Sequence, residues 1–248
     1  MKELHCHTVF CDGKNTPEEM VLSAIEKGLD TIGISGHSYT SFDSTYCMTL
    51  EGTKEYIRRI NDLKAKYADK ITVLCGMEKD YYSDYPNDEF DYVIGSVHYV
   101  KVGDRYVDVD ESPEKTRFII SEGFNGDPLS YCEAFFESAG DVAKKTDCDI
   151  IGHFDLLTKF NEIDPIIDTS HERYISAWKK AADSLLKSGK IFEINTGAIS
   201  RGYRTSPYPA GDIIDYLKSR GAKFILSGDA HRKEDLCFAF DKYEYLLK

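Results

Sequence analysis

Short runs of apolar residues alternate along the whole chain with longer stretches in which apolar residues recur at the spacing of a helix. Several of the short runs are continuous rather than alternating, which is typical of parallel strands covered on both faces. They predict seven strands, at residues 2–7, 31–35, 71–77, 91–97, 149–152, 191–195 and 223–227.

The stretches between these runs predict helices with recognisable ends. In the first, Thr16 can cap the helix, Pro17 takes its first turn and Gly28 ends it. We expect Pro209 to open the last helix and Gly221 to close it. That last helix is predicted at about 209–219, and the three between are predicted at about 51–67, 130–146 and 171–188.

Repeated strand and helix units predict an α/β fold whose working residues lie at the carboxyl ends of the strands. Two architectures are compatible with this order, a closed barrel and an open doubly wound sheet. No internal repeat or low-complexity linker interrupts the alternation, so we expect one domain over residues 1–248. The longest stretch without a predicted element, about 99–128, is interpreted as an insertion or an active-site lid.

Composition and charge narrow the classes of function. Hydrophobic residues make up 42% of the 248 residues and charged residues 30%, as in a globular protein with a full core. The formal net charge of -12 argues against a nucleic-acid partner, because binding to phosphate backbones needs surplus Lys and Arg. No apolar stretch approaches the ~20 residues of a membrane span and no signal-peptide pattern is present, so we expect no membrane partner and a cytoplasmic protein.

The cysteines suggest reduced thiols. There are seven, without a C-x-x-C pair, which suits a cytoplasmic protein. Cys6 and Cys11 stand beside histidines and are candidate metal ligands. Because alternate side chains of a strand point to opposite faces, we expect Cys6 to point away from His5 and His7, which favours a small buried thiol.

Six of the seven histidines fall within a few residues of the end of a predicted strand, and these are His5, His7, His37, His98, His153 and His231. In a barrel these ends converge on one mouth, where so many imidazoles would be costly unless a metal ion bound them. Neutral imidazole is a common ligand of zinc, iron and manganese. The carboxylates of Asp12, Glu78 and Asp229 occupy the same predicted edge, and the whole set predicts a metal site.

Six motifs in this order resemble the PHP (polymerase and histidinol phosphatase) superfamily of metal-dependent phosphoesterases. They are H-x-H-T-x-x-x-D-G at 5–13, G-H-S at 36–38, G-x-E at 76–78, S-V-H at 96–98, G-H-x-D at 152–155 and S-G-D-A-H at 227–231. The resemblance spans nearly the whole chain. It implies a distorted (β/α)7 barrel of the TIM type with the metal site at the carboxyl ends of the strands, in agreement with the seven predicted strands.

The same resemblance implies three divalent metal ions, which in this family are zinc, iron or manganese. By analogy, the first ion is held by His5, His7, Glu78 and Asp229, the second by Glu78, His98 and His153, and the third by Asp12, His37 and His231. Glu78 bridges the first two ions.

Within the superfamily the chain looks most like the monofunctional histidinol-phosphate phosphatases, which cleave L-histidinol phosphate to L-histidinol and phosphate in histidine biosynthesis. The likeness lies in the motif at 5–13 followed by a helix, in the length, and in EINTG at 193–197. The hypothesis is that a hydroxide bridging the first two ions, which Glu78 also bridges, attacks phosphorus. Asp229 or His231 then delivers a proton to the leaving alkoxide.

Cations near the predicted mouth are candidates for binding a small phosphorylated substrate. Arg201 and Arg204 follow the sixth predicted strand, in NTGAISRGYR, where the family usually has a small residue, leucine and a basic residue. Guanidinium groups can grip two phosphoryl oxygens, and Lys159 is a third candidate. Asp155 is expected to orient His153, as metal-bound histidines usually require.

Three alternative functions remain open. Another PHP phosphoesterase, such as a protein-tyrosine phosphatase or a nucleotide phosphodiesterase, would use the same site. An amidohydrolase-type barrel also opens with H-x-H, but commonly bridges its metals with a modified lysine where this chain has Glu78. A non-catalytic PHP module would bind metal for stability, although such modules often lose ligands and this chain retains all nine positions.

Overall fold

The computed structural model describes all residues from Met1 to Lys248. Its strands are β1 (Lys2–Glu3), β2 (Thr31–His37), β3 (Thr72–Asp80), β4 (Tyr92–Ser96), β5 (Tyr99–Val102), β6 (Arg105–Asp108), β7 (Ile150–Ile151), β8 (Ile191–Asn195) and β9 (Lys223–Ser227). Its helices are α1 (Pro17–Glu26), α2 (Leu50–Lys66), α3 (Pro113–Phe124), α4 (Pro128–Thr146), α5 (Glu172–Leu186), α6 (Gly197–Ser200), α7 (Gly211–Ser219) and α8 (Phe240–Tyr243).

Seven parallel strands form one sheet in the order β1, β2, β3, β4, β7, β8, β9, and these are the seven predicted from the sequence. The two ends of the sheet meet beyond β1 and β9. There His7 N donates to Ala230 O at 2.8 Å and Ala230 N donates to His5 O at 3.1 Å. The sheet is therefore a nearly closed, distorted (β/α)7 barrel and not an open doubly wound sheet.

The first strand is shorter than the predicted range 2–7. Residues 5–7 divide their hydrogen bonds between β2 and the turn after β9, so no continuous ladder with one neighbour forms beyond Glu3. The side chain of Glu3 also joins the two ends of the sheet. Its buried carboxylate accepts hydrogen bonds from Gly228 N and Cys237 N, both at 3.0 Å. These contacts hold the first histidines against the turn that carries Asp229.

Tyr92 fills the amino-terminal half of the barrel interior. Its hydroxyl donates to Leu4 O at 2.6 Å. Its ring lies against Gly33 and Gly76, where a Cβ atom would stand 2.2 Å from the tyrosine. Glycine at these two positions of β2 and β3 therefore makes room for the ring.

The segment 99–128 is ordered, and the prediction of a long stretch without elements is wrong. Strands β5 and β6 form an antiparallel hairpin around Gly103, which has a φ of 60°. Helix α3 follows, capped by Ser112, whose hydroxyl accepts from Lys115 N. The alternating YVKV and RYVD runs and the S-P-E helix start were the local signals of these elements.

The helix ends agree with the sequence in most places. At α1 the hydroxyl of Thr16 accepts from Glu19 N, and the side chain of Glu19 in turn accepts from Thr16 N. The expectation for Pro209 is wrong, because α7 begins only at Gly211. Ala210 N, just before that helix, donates to the carboxylate of Asp155 at 3.0 Å. None of the helices is long and apolar enough to span a membrane.

Candidate metal centre

Six histidines and three carboxylates gather where the barrel strands end. The expected residues that come together are His5, His7, Asp12, His37, Glu78, His98, His153, Asp229 and His231, while His171 caps α5 elsewhere. Parallel strands place their last residues at one edge, and the short connections after them bring the remaining ligands to the same point.

Glu78 lies at the centre of the cluster and is buried. Its Oε1 atom lies 2.8 Å from Nε2 of His153 and 3.2 Å from Nε2 of His98. Its Oε2 atom lies 3.2 Å from Nε2 of His5 and 3.0 Å from Nδ1 of His37. Because its two oxygens face different imidazoles, this carboxylate can bridge two ions.

Asp229 faces the two histidines that follow β1. Its Oδ1 atom lies 3.2 Å from Nε2 of His7 and 3.7 Å from Nε2 of His5. The backbone of Asp229 has a φ of 46°, a conformation that costs energy for any residue other than glycine and clusters at functional sites. Gly197 packs against it, since a Cβ atom there would stand 2.8 Å from the Asp229 Cβ.

A third group lies nearest to solvent. Asp12 Oδ2 lies 2.9 Å from Nε2 of His231, and Asp12 Oδ1 lies 3.6 Å from Nε2 of His37. His7 completes the group with Nδ1 at 3.7 Å from Asp12 Oδ1, so that its ring borders two ligand groups. The side chain of Asp12 is 32% exposed and that of His231 is 22% exposed, which leaves this group open to an entering ligand.

The buried atoms of the cluster fit metal ions. Nε2 of His5, Nε2 of His7 and Oδ1 of Asp12 are buried without a hydrogen-bond partner, which is costly unless something binds them. Ligands held about 2.1 Å from an ion in tetrahedral geometry stand about 3.4 Å apart, close to the nitrogen-to-oxygen separations above. Imidazole and carboxylate donors without thiolate suit zinc, iron and manganese alike.

The charges at the site set the protonation states of the candidate ligands. Burial and two neighbouring imidazoles lower the pKa of His7 to about 3, so its ring is neutral. Burial by itself would raise the pKa of Glu78, but the imidazoles around it hold that pKa well below the usual value. Burial would lower the pKa of His5, yet the three carboxylates around it raise that pKa well above the usual value. Those carboxylates attract a metal cation for the same reason.

Glu193 is a supporting carboxylate for which no role was predicted from the sequence. It is fully buried in β8, and its Oε1 atom lies 2.5 Å from Nδ1 of His5. Its Oε2 atom accepts hydrogen bonds from His153 N at 2.8 Å and from the amide of Asn195 at 2.9 Å. A charged residue inside the apolar run IFEIN was the available signal, because a buried strand tolerates an acid only with several donors.

Two other aspartates lie near the histidines, and only one of them orients a histidine. Asp80 Oδ2 lies 3.3 Å from Nδ1 of His98 and accepts from His98 N at 2.9 Å, so it orients that residue. The expectation that Asp155 orients His153 is wrong, since Nδ1 of His153 has no hydrogen-bond partner. The Asp155 carboxylate is occupied by Ala210 N instead.

A cavity of about 260 Å³ opens over the cluster, and two of the three predicted phosphate-binding cations line it. Arg201 donates to Asp229 O at 2.9 Å and to Asp229 Oδ2 at 3.1 Å, which places its guanidinium beside the candidate ligands. Lys159 donates to the carboxylate of Asp110 at 2.7 Å. Asp108, Asp110, Tyr46 and Tyr203 also line this cavity and carried no prediction.

Arg204, the third predicted cation, lies outside the cavity. Its side chain is buried, donates to the hydroxyl of Thr158 at 2.5 Å, and lies over the ring of Tyr208 at 4.3 Å. The nearest acid is Asp155, at 3.8 Å. These contacts hold the loop before α7 against the barrel, and Arg204 is not among the residues that line the cavity over the cluster.

None of the cysteines belongs to a group of candidate ligands. Cys6 is buried among apolar side chains and directs its sulfur to Gly33 O at 3.4 Å, on the face away from the histidines as expected. Cys11 is the nearest thiol, with its sulfur 3.6 Å from Nδ1 of His7. All seven cysteines are free.

The PHP domain family model matches residues 3–197 of the chain. A probable histidinol-phosphatase of Deinococcus radiodurans is 28% identical over 253 residues, which cover 95% of this chain and 88% of the relative. The histidinol-phosphatase of Bacillus subtilis is 23% identical over 266 residues, which cover 96% of both chains.

Solved structures share the fold along the whole chain. A protein of Listeria monocytogenes superposes with a TM-score of 0.85 at 22% identity, covering 98% of this chain and 100% of that one. The histidinol phosphate phosphatase of Lactococcus lactis, solved with zinc, L-histidinol and phosphate, superposes with a TM-score of 0.75 at 22% identity. That match covers 99% of this chain and 92% of the other.

Proposed function

The chain belongs to the PHP domain family, and we propose that it is a metal-dependent phosphomonoesterase that hydrolyses L-histidinol phosphate to L-histidinol and phosphate. The substrate is taken from relatives named as histidinol-phosphatases, which align with nearly the whole length of this chain. The reaction class is supported by the family and by the small cavity that candidate metal ligands and an arginine line together.

The observation that carries the proposal is the central position of Glu78. Its two oxygens face imidazoles on opposite sides of the cluster, with the shortest separation 2.8 Å. We propose three divalent ions of zinc, iron or manganese, held by the ligands assigned above, with Glu78 shared between two of them. Ions of this kind supply Lewis acidity toward phosphoryl oxygens and toward a water molecule that attacks phosphorus.

The residues of the chain prepare the phosphate for in-line attack. Arg201 lines the cavity and is the proposed cation for the phosphoryl oxygens, and Asp229 holds its guanidinium in place. Lys159 contributes a second positive charge, partly neutralised by Asp110. His231 and Asp229 are the proposed groups for moving a proton toward the leaving alkoxide, because both line the cavity.

A substrate comparison tests the proposal. The purified protein is stripped of metal, reconstituted separately with manganese, zinc and iron, and assayed with L-histidinol phosphate, phosphotyrosine, a mononucleotide and p-nitrophenyl phosphate. We expect the highest kcat/KM for L-histidinol phosphate and none without metal. Equal rates on L-histidinol phosphate and p-nitrophenyl phosphate would contradict the substrate but leave the reaction class intact.

A further inference from the structure

The geometry points to Asn195 as a positioning residue that ties the candidate metal ligand Asp229 to Arg201, the candidate for phosphate binding. This inference rests on the proposed phosphatase function and extends it to a residue that does not line the cavity. Asn195 is the last residue of β8 and the middle residue of EINTG at 193–197, and it is completely buried. A buried amide is costly unless its hydrogen bonds are made, so its partners indicate its role.

Both polar atoms of the Asn195 side chain have partners. Its Oδ1 atom accepts from Gly197 N at 2.8 Å. Its Nδ2 atom donates to Glu193 Oε2 at 2.9 Å and to Asp229 Oδ2 at 3.4 Å. Because ionised carboxylates only accept and a backbone N–H only donates, one orientation of the amide alone satisfies all three partners. Two backbone hydrogen bonds with Tyr208, at 2.8 and 2.9 Å, hold the main chain of Asn195.

The contact with Asp229 gives the two oxygens of that carboxylate different partners. Oδ1 lies 3.2 Å from Nε2 of His7, on the side of the candidate ligands. Oδ2 accepts from Asn195, and it also accepts from Arg201 at 3.1 Å. The two donors hold the carboxylate against rotation, so Oδ1 stays directed at the ligand group. Asp229 has a φ of 46°, which its surroundings must also hold in place.

The contact with Gly197 fixes the turn that carries Arg201. Gly197 is the first residue of α6, where a backbone N–H has no partner within the helix, and Asn195 Oδ1 supplies one. Arg201 directly follows this helix, and its N donates to Gly197 O at 3.2 Å. A Cβ atom on Gly197 would stand 2.9 Å from Asp229 Oδ2, so the turn lies against the carboxylate. One side chain therefore places both members of the Asp229 and Arg201 pair.

Asparagine suits this place because two carboxylates share its amide nitrogen. Oε2 of Glu193 and Oδ2 of Asp229 both lie within 3.4 Å of Nδ2. Buried like charges repel, and a neutral group that donates to both offsets the repulsion. A cationic side chain here would oppose the binding of a metal ion, and an aspartate would add a third negative charge. The amide satisfies both acids and leaves their charge available to a metal ion.

The test measures the binding of inorganic phosphate to manganese-loaded protein by calorimetry, at matched metal content. Asn195→Asp keeps the oxygen that accepts from Gly197 N but removes the donor to both carboxylates. Asn195→Ala removes both. The matched control is Ser227→Ala, because the buried hydroxyl of Ser227 also donates to Glu193 and to no other residue. The visible absorption of cobalt-loaded protein reports the ligand geometry without turnover.

We expect Asn195→Asp and Asn195→Ala to lower the affinity for inorganic phosphate by about 10- to 100-fold, and Ser227→Ala by less than about threefold. The cobalt spectrum should change in the two Asn195 variants and stay unaltered in the control. Because Asn195 acts through Arg201, the double variant Asn195→Ala with Arg201→Ala should lose about tenfold less affinity than the product of the two single losses.

Equal losses in Asn195→Ala and Ser227→Ala, or a double loss equal to the product, overturn the positioning role. If Asn195→Ala does not fold, Asn195→Ser takes its place in the double-variant comparison. Protein that shows the expected coupling in phosphate binding but hydrolyses no L-histidinol phosphate contradicts the proposed function and leaves the role of Asn195 intact.

Discussion

Glu193 fixes the orientation of His5 from within the barrel wall. Its carboxylate lies 2.5 Å from Nδ1 of His5, which leaves Nε2 directed at Glu78. Hydrogen bonding at one ring nitrogen sets the tautomer and raises the basicity of the other, so this pair prepares His5 as a ligand. The same carboxylate accepts from His153 N at 2.8 Å and therefore supports two ligands at once.

Glu193→Gln is expected to weaken metal binding by about 10- to 100-fold. Both carboxylate oxygens accept hydrogen bonds, so an amide NH2 group would face a donor. Chelator competition measures the affinity, and Glu244→Gln on the exposed carboxyl-terminal segment is the control. Unchanged affinity in Glu193→Gln would show that the carboxylate does not tune His5.

Arg201→Lys is expected to lower kcat/KM by about 10- to 100-fold, because lysine cannot grip two phosphoryl oxygens in a fixed plane. Steady-state kinetics at matched metal content measures the effect, since Arg201 also contacts the candidate ligand Asp229. Arg220→Lys, at an exposed position after α7, is the control. Full activity in Arg201→Lys and Arg201→Ala together would rule out the phosphate contact.

Arg204→Ala is expected to act on stability. It leaves the buried carboxylate of Asp155 without its nearest cation and removes the packing over Tyr208. We expect the free energy of unfolding to fall by about 3 kcal/mol. Urea denaturation measures it, and kcat/KM of the folded, metal-loaded fraction should change less than in Arg201→Ala. A loss of activity with unaltered stability would instead place Arg204 at the substrate.

Removal of metal is expected to destabilise the protein. Without ions, the buried atoms His5 Nε2 and His7 Nε2 have no partner. Ions that bind only the folded chain at about a thousand times their Kd add about 4 kcal/mol, which lowers Tm on the order of 10 °C when they are withdrawn. Calorimetry before and after chelation, with readdition of manganese as the control, measures this shift. An unchanged Tm after verified metal loss would contradict the proposed occupancy.

Gly76→Ala is expected to destabilise the barrel by about 1–3 kcal/mol, because the new methyl group would overlap the ring of Tyr92. A Cβ atom at this position lies 2.2 Å from that ring. Gly211→Ala is the matched control, since nothing lies within 4 Å of a Cβ there at the start of α7. Thermal denaturation of the two variants should separate them, and equal Tm values would contradict the steric argument.

Much of the fold could be read from local patterns. Continuous apolar runs and capped helical stretches predicted the seven barrel strands and five helices, because each pattern depends on neighbours a few residues away. The hairpin β5–β6 was missed although its alternation is local, since the apolar signal of two four-residue strands is weak. Strand β1 was predicted too long because its hydrogen bonds depend on Ala230, far along the chain.

The candidate ligand residues and their order can be read from the sequence. Histidines and carboxylates at strand ends predicted a shared mouth before any geometry was known, since parallel strands end at one edge. The tertiary structure decided which side chains meet. It places Glu193 against His5 and Arg204 toward Asp155, and it leaves Asp108 at the cavity without an ion pair. These depend on which side chains meet across distant strands and on how much water remains between them, and neither quantity is encoded in local spacing.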